Sequence, residues 1–352
     1  MKVGLIGFAR SGKTTVFNAI TGATAEVGAY GSREANVAVI KVPDPRVDAL
    51  AEIFKPKKKT YAEIEFIDIA PGEGMDPDKA LDNAALNLLK NADALVHVVR
   101  AFENENVMHP RESVNPERDV IALEEELQLI DLIIVEKRIE RLEKEHKKDT
   151  EHELLVRCKE HLESGAPLRT LHLNAQEEAS LRNFTFLSQK PMMVLGNYGD
   201  DAVGKDNQSG LNDVTQRLGL QLIEFCGALE MEVNQLPEEE RKSFREELGL
   251  GEESRVRFIQ FAYEMLGLIS FLTAGEPEVR AWTIRKGTHA VDAAGVIHSD
   301  IRRGFIRAET VAYDHFMEAG SMAKAKEKGW VRLEGKEYVV LDGDMMLFRF
   351  NV

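Results

Sequence analysis

The run Gly7-Phe8-Ala9-Arg10-Ser11-Gly12-Lys13-Thr14 fits the spacing G-x-x-x-x-G-K-[S/T], which polyphosphate binding requires. Its glycines let successive backbone N–H groups turn inward around phosphate oxygens, and Lys13 adds a compact cation for the outer phosphates. The Thr14 hydroxyl is the expected Mg²⁺ ligand. The loop follows an apolar run over 3–6 and precedes a helical stretch over 14–21, so a helix N-terminus lends its positive end to the site. The expected nucleotide-binding set here is Gly7, Arg10, Ser11, Gly12, Lys13, Thr14 and Thr15.

A phosphate loop needs an acidic partner at the end of a second strand, to hold the metal through water. Asp68, closing Ile64-Glu65-Phe66-Ile67, takes that place, and Ile69-Ala70-Pro71-Gly72-Glu73-Gly74 after it reads as a switch. Ser32 is the hydroxyl expected to reach the metal from a first switch over 28–36. Base recognition calls for polar side chains just beyond a later strand, and Asn197-Tyr198-Gly199-Asp200 supplies them. Asn197 is placed to fasten loops together and touch a purine N7, and Asp200 to accept from ring N–H groups. Phe225-Cys226-Gly227-Ala228 then offers backbone contacts to the base, chiefly at Cys226 and Gly227.

Positioning these residues is the task of alternating strands and helices. Short apolar runs over 37–42, 63–68, 94–99, 192–196 and 221–225 read as strands buried on at least one face, in an α/β pattern with a largely parallel sheet. A long helical stretch interrupts them. In it Leu132, Val135, Ile139 and Leu142, then Leu155, Cys158 and Leu162, form an apolar seam that a hairpin of two helices would bury. Beyond Gly275 the texture changes to short strands over 280–284, 305–313, 338–341 and 347–350, with helices over 290–297 and 313–328, as in a small β-rich domain.

Composition excludes several classes. The 352 residues are 43% hydrophobic and 30% charged, with a formal net charge of −15, which suits a globular chain and not a general nucleic-acid coat. Residues 275–352 carry 12 Lys/Arg and 12 Asp/Glu, so the acidic excess lies in the first 274. No apolar run approaches the length of a membrane span or leader, so a cytoplasmic protein without membrane contacts is expected. Cys158 and Cys226 make neither a disulfide framework nor a metal-ligand spacing.

Several longer strings carry a family resemblance. They include Val42-Pro-Asp-Pro-Arg46, His97-Val-Val-Arg100, Val135-Glu-Lys-Arg138, Tyr263-Glu-Met-Leu-Gly-Leu-Ile269, Glu278-Val-Arg-Ala-Trp-Thr-Ile-Arg-Lys-Gly287, Arg303-Gly-Phe-Ile-Arg-Ala308 and Phe348-Arg-Phe-Asn-Val352. Through them the chain resembles the Obg-like ATPase (YchF) family of GTPase-related proteins over nearly its full length. The resemblance implies a P-loop GTPase-like domain with a mostly parallel sheet, an inserted coiled-coil hairpin, and a C-terminal β-grasp domain of the TGS type. The corresponding boundaries are 1–115 with 189–268, 116–188, and 269–352. It also implies ATP hydrolysis and ribosome association, with the hairpin and the TGS-like domain as the surfaces facing ribosome or RNA.

The chain departs from the family pattern at chemically sensitive places. Arg10 stands where the family carries an asparagine associated with K⁺, so the Arg10 guanidinium is expected to take the cation's place beside Lys13 in catalysis. Pro71 and Gly72 replace the usual D-x-x-G spacing after Asp68, and proline offers no N–H to a γ-phosphate. Ser32 replaces a threonine. Asp200 replaces the glutamate that accompanies ATP preference, and aspartate is what GTP-specific proteins use, so the residues leave ATP and GTP open. The expected activity is slow, positional hydrolysis with Lys13 and Mg²⁺ neutralising phosphate charge; the alternative is a nucleotide-binding scaffold with little turnover. Neither His97 nor His109 stands out as a general base. In the C-terminal domain Arg280, Arg285, Lys286, Arg302, Arg303 and Arg307 are candidates for a partner-facing surface.

Overall fold

The computed structural model describes residues 1–22, 35–69, 79–202, 205, 209–247 and 254–351. Its strands are β1 (Lys2–Ile6), β2 (Asn36–Lys41), β3 (Lys58–Thr60), β4 (Glu63–Asp68), β5 (Ala94–Ala101), β6 (Met192–Tyr198), β7 (Gln221–Phe225), β8 (Leu268–Ala274), β9 (Glu278–Arg285), β10 (Phe305–Ala312), β11 (Arg332–Glu334) and β12 (Asp344–Phe350). Helices in the first half are α1 (Lys13–Thr21), α2 (Pro45–Phe54), α3 (Asn83–Leu89), α4 (Pro116–Lys144) and α5 (Thr150–Glu163).

One six-stranded sheet has the order β2-β4-β1-β5-β6-β7. Parallel pairing joins β1 to β4 and β5, β5 to β6, and β6 to β7. Central strands of such a sheet are covered on both faces and must be apolar throughout; Val3, Leu5, Ile6, Leu95, Val96, Val98, Val194 and Leu195 are accordingly buried. The marginal strand β2 instead leaves Val37 and Val39 exposed. The sequence-derived α/β architecture holds.

The apolar seam forms the inserted hairpin as expected. Val135, Ile139 and Leu142 of α4 pack against Leu154, Leu155, Cys158 and Leu162 of α5, with Leu132 at the margin. Both helices begin with side-chain caps: Asn115 accepts from the Arg118 N–H at 3.0 Å, and Asp149 accepts from the Glu151 and His152 N–H groups. α3 is capped in the same way by Asp82. At the base of the hairpin the buried Asp131 carboxylate accepts from the Leu187 and Ser188 N–H groups at 2.9 and 2.7 Å, satisfying the returning chain.

The chain folds as two compact units, Met1–Val39 with Glu65–Arg255, and Ile40–Ile64 with Val256–Val352. This division differs from the sequence boundaries, which counted 40–64 with the nucleotide-binding part. The physical reason is packing: Val47 and Leu50 of α2 are fully buried in a core with Leu272, Val279, Val311, Phe316 and Met345. In addition β3 pairs in parallel with β9, and Arg46 bonds both Asp44 and Asp342.

The second unit's sheet has the order β11-β10-β12-β8-β9-β3, with the chain's last strand at its centre. A second core on its other face gathers Phe271, Ile284, Ala290, Ala293, Phe305 and Phe348. Two expectations change here. Residues 338–341 form a single bridge, Val339 to His289, and not a strand, because the buried Asp344 carboxylate takes the Leu341 N–H and the Tyr338 hydroxyl. The helix expected over 313–328 is two helices, Tyr313–Ala319 and Met322–Glu327, separated at Gly320 and restarted by a Ser321 cap.

Candidate nucleotide-binding site

The phosphate loop leaves β1 through Gly7, whose φ of 144° and pressing neighbour, the Val98 carbonyl, exclude a side chain. Gly12 caps α1 with φ 90°, and its α-carbon faces the Asn197 amide with no space for a Cβ. Between them Arg10 also adopts a left-handed backbone, φ 63°. The loop curls so tightly that Lys13, 6% exposed, lies back over it and donates from Nζ to the Gly7 and Phe8 carbonyls at 2.8 and 2.9 Å. Burial lowers the Lys13 pKa to about 8, opposed by the charge of Asp68.

Asp68, at the C-terminal end of β4, is fully buried and meets Thr14 from the next turn. Thr14 Oγ1 donates to Asp68 Oδ2 at 2.8 Å, and the Asn36 amide donates to the same oxygen at 3.1 Å. Among the described residues Asp68 Oδ1 is buried without a hydrogen-bond partner. A hydroxyl and a carboxylate with an unengaged oxygen, side by side beyond the lysine, are oxygen donors of the kind Mg²⁺ takes, so the residues fit that ion. Among the described residues no group of three or more His, Cys, Asp or Glu side chains could hold a metal ion. Ser32, Pro71 and Gly72 lie outside the described residues.

The base side is built from strand ends. Asn197, 3% exposed and near the end of β6, donates from Nδ2 to the Ser11 carbonyl at 3.0 Å and accepts at Oδ1 from the Gly227 N–H at 3.0 Å. One amide therefore ties the phosphate loop to the first turn of the helix Gly227–Gln235. Thr15 and Val16 pack beside Gly227 on the α1 side. Asp200 sits on the turn after β6, where its carboxylate accepts from the Asp201 N–H. Cys226 is buried; burial raises its thiol pKa, and the nearby Asp200 charge adds to that rise. The structure thus brings Gly7, Ser11, Gly12, Lys13, Thr14, Thr15, Asn197, Asp200, Cys226 and Gly227 to one end of the sheet.

The Arg10 guanidinium donates from Nη1 to the Met108 carbonyl at 3.0 Å. That directs its charge toward the segment after β5, which the buried Arg100 also holds through the Phe102 and Val107 carbonyls. Phe8 joins the same contact, with the Arg111 guanidinium 5.3 Å from its ring centre. His97 lies beneath the loop, fully buried, and burial together with the Lys13 charge lowers its pKa to about 3, so its ring is neutral. His109 is held 3.0 Å from Asp119. Asn36 is the site residue that sequence reasoning overlooked; it closed the stretch 28–36 from which only Ser32 was chosen. In the second unit Arg280 stacks on Trp282, and Arg302 and Arg303 pair with Asp292 and Asp300, so these cations have local structural partners.

Comparison with known proteins shows what the chain is similar to. Residues 2–147 match a family model described as "50S ribosome-binding GTPase", and residues 268–351 match the YchF GTPase C-terminal family, described as a protein of unknown function (DUF933). The chain is 42% identical over 364 residues to the ribosome-binding ATPase YchF of Bacillus subtilis, covering 100% of both chains. It is 41% identical to the protein of that name from Escherichia coli O157:H7, covering 100% of this chain and 99% of the other. A solved structure, the Schizosaccharomyces pombe YchF GTPase, superposes with a TM-score of 0.86 at 29% identity, covering 99% of this chain and 97% of that one.

Proposed function

The chain belongs to the YchF family, and from that premise we propose that it is a cytoplasmic, ribosome-associating P-loop NTPase that binds ATP with Mg²⁺ and hydrolyses it slowly. The observation that carries the reading is the G-x-x-x-x-G-K-T loop between β1 and α1, with Lys13 Nζ on the loop's own Gly7 and Phe8 carbonyls and Thr14 Oγ1 bonded to Asp68 at the end of β4. The ATP assignment follows the relatives at 42% and 41% identity, which are named ATPases, whereas the solved structure at 29% identity is named a GTPase. Among the described residues no helix is long and apolar enough to cross a membrane.

In this reading Lys13 exchanges the Gly7 and Phe8 carbonyls for phosphate oxygens, a trade of neutral acceptors for charged ones. Thr14 and Asp68 would hold Mg²⁺, with Ser32 as the first-switch ligand, and the ion would supply charge neutralisation at the outer phosphates. Asn197 keeps the loop and the helix Gly227–Gln235 in fixed relation, so that base and phosphates are bound in one geometry. Asp200 and the backbone at Cys226 and Gly227 meet the purine edge. Arg10 contributes positive charge at the rim of the loop.

The test is a titration of nucleotide-stripped protein with ATP and GTP in the presence of Mg²⁺, with Lys13→Ala as control, followed by phosphate release. Tighter ATP binding that Lys13→Ala weakens about 100-fold or more, with turnover far below about 1 s⁻¹, is expected. Tighter GTP binding would overturn the ATP assignment, binding without phosphate release would leave a nucleotide-binding scaffold, and Lys13-independent binding would overturn the site.

A further inference from the structure

Two helices carry the two ends of the expected nucleotide, and side chains join them at both of their own ends. α1 starts at the phosphate loop, and the helix Gly227–Gln235 starts where the purine is expected. At these starts a Cβ on Gly227 would stand 3.3 Å from Val16 Cγ2 and 3.4 Å from Thr15 Cγ2, so glycine lets the second helix begin this close to the first. Asn197 closes that joint through the Gly227 N–H. At the far ends a second joint closes. The Ala19 carbonyl lies in the last turn of α1, where carbonyls lack intrahelical donors, and it accepts from Asn234 Nδ2 at 2.6 Å. Asn234 is itself held, because its carbonyl accepts from Arg241 Nη2 at 3.0 Å while Arg241 Nε donates to the Leu236 carbonyl at 2.9 Å. Between the joints Val16, Ile20, Leu229 and Val233 are buried. All of these residues belong to the first unit.

We propose that Asn234 is a positioning residue that sets the span between the phosphate and base halves of the site, and so makes the protein favour a whole nucleotide over an inorganic polyphosphate. The inference rests on the nucleotide reading above. A helix joined at one point is free to pivot about it, and a second joint well separated from the first removes the pivot. Asn234 stands seven residues beyond Gly227, about 10 Å along the helix. Its bond to Ala19 therefore fixes the direction of that helix where Asn197 fixes its position. A nucleotide gains from both halves at once only when their separation already matches its own, because ordering one half after the other has bound costs affinity. Phosphate oxygens alone need the loop, Lys13 and Thr14, all on the α1 side, and are indifferent to where the other helix points. Asn234 lies at the opposite end of its helix from Gly227 and acts on the purine only through that helix.

The experiment compares ATP with inorganic tripolyphosphate, both with Mg²⁺, by calorimetric titration of the nucleotide-stripped full chain as wild type, Asn234→Ala, Asn234→Asp and Asn234→Gln. The wild type should bind ATP more tightly than tripolyphosphate. Asn234→Ala should lose at least about tenfold in ATP affinity and less than about threefold in tripolyphosphate affinity. Asn234→Asp keeps the shape, offers the Ala19 carbonyl no donor and should behave as Asn234→Ala does; should the alanine variant fail to fold, this one decides. Asn234→Gln keeps an amide donor and should recover part of the ATP affinity. Equal losses for the two ligands would make Asn234 an ordinary helix cap and overturn the inference while leaving the nucleotide reading intact, as would unaltered affinity for both. A wild type that binds tripolyphosphate as tightly as ATP would overturn the base half of the reading and this inference with it. Binding of neither ligand by the wild type would overturn the whole nucleotide reading and this inference together.

Discussion

Gly12 and Asn197 approach so closely that a single added carbon on the glycine would overlap the asparagine amide. The phosphate loop and the sixth strand are thus fitted closely to each other. Gly12→Ala combines that overlap with an unfavourable φ of 90°. It should reduce nucleotide affinity at least about tenfold while the far-ultraviolet dichroism stays unchanged, because a misplaced loop costs orientation, not fold.

Asn197→Ala tests the same joint from the other side. It leaves the buried Gly227 N–H and Ser11 carbonyl without partners, which costs about 1–3 kcal/mol for each group left unsatisfied. A denaturation midpoint lowered accordingly, with weaker ATP binding, is the expected result; an unchanged midpoint would mean that water takes over both bonds.

Thr14→Val preserves shape and removes one oxygen. Because Thr14 donates to Asp68 and is the expected metal ligand, the strengthening of ATP affinity by Mg²⁺ should fall about tenfold, while affinity in EDTA should change less than about threefold. Isothermal titration with and without Mg²⁺ separates the two.

The carboxylate at the base of the hairpin gives a pH signature. Burial raises the Asp131 pKa from 3.8 to about 6 despite two backbone donors. Between about pH 4 and pH 6 the native chain therefore keeps a proton that the unfolded chain releases. Its contribution to stability is complete below pH 3.8 and is lost as pH rises through about 6, on the order of 2–3 kcal/mol. Chemical denaturation of the wild type and Asp131→Asn at pH 4.5 and pH 7 should show the wild type losing ground to the variant at the higher pH. A pH-independent difference would contradict the assignment.

Arg46 joins residues far apart in sequence, bonding Asp44 at 2.9 Å and Asp342 at 2.7 Å. Asp342 is half exposed, so the pair with it is screened. Arg46→Ala should still lower the stability of the second unit by about 1–2 kcal/mol, through the lost side-chain bonds to Asp44 and Asp342, since the cap from the Asp44 carboxylate to the residue 46 N–H is kept, and leave ATP affinity within about twofold. Limited proteolysis after α2 is a convenient readout.

The parts of this molecule written in local sequence were legible and the parts written in distant pairings were not. Residues 7–14 announce their loop because glycine spacing, lysine and hydroxyl are all local requirements. The hairpin seam from Val135 to Leu162 is equally local, a matter of periodicity. By contrast, Val47 and Leu50 look like any helix face, and nothing near them shows that their partners lie at Leu272 and Met345. Asn36 escaped notice for the same reason: an asparagine at a strand start acquires meaning only when Asp68 arrives beside it. Residues 338–341 misled in the opposite sense, since their strand-like composition is overruled by the Asp344 carboxylate, which takes donors a ladder would need.

The pairing of β3 with β9 also sets a timetable. Thr60 meets Glu278, 218 residues further on, and the strand at the centre of that sheet is the last one made. At about 5–20 residues per second, the nascent chain carries 40–64 for roughly 10–40 s before its partners emerge. Throughout that interval Val47 and Leu50 are uncovered, flanked by Lys55, Lys57, Lys58 and Lys59, whose charge discourages neighbouring chains from adding to the unpaired strand. Anything that slows synthesis between the two would lengthen the period in which this protein is vulnerable to aggregation.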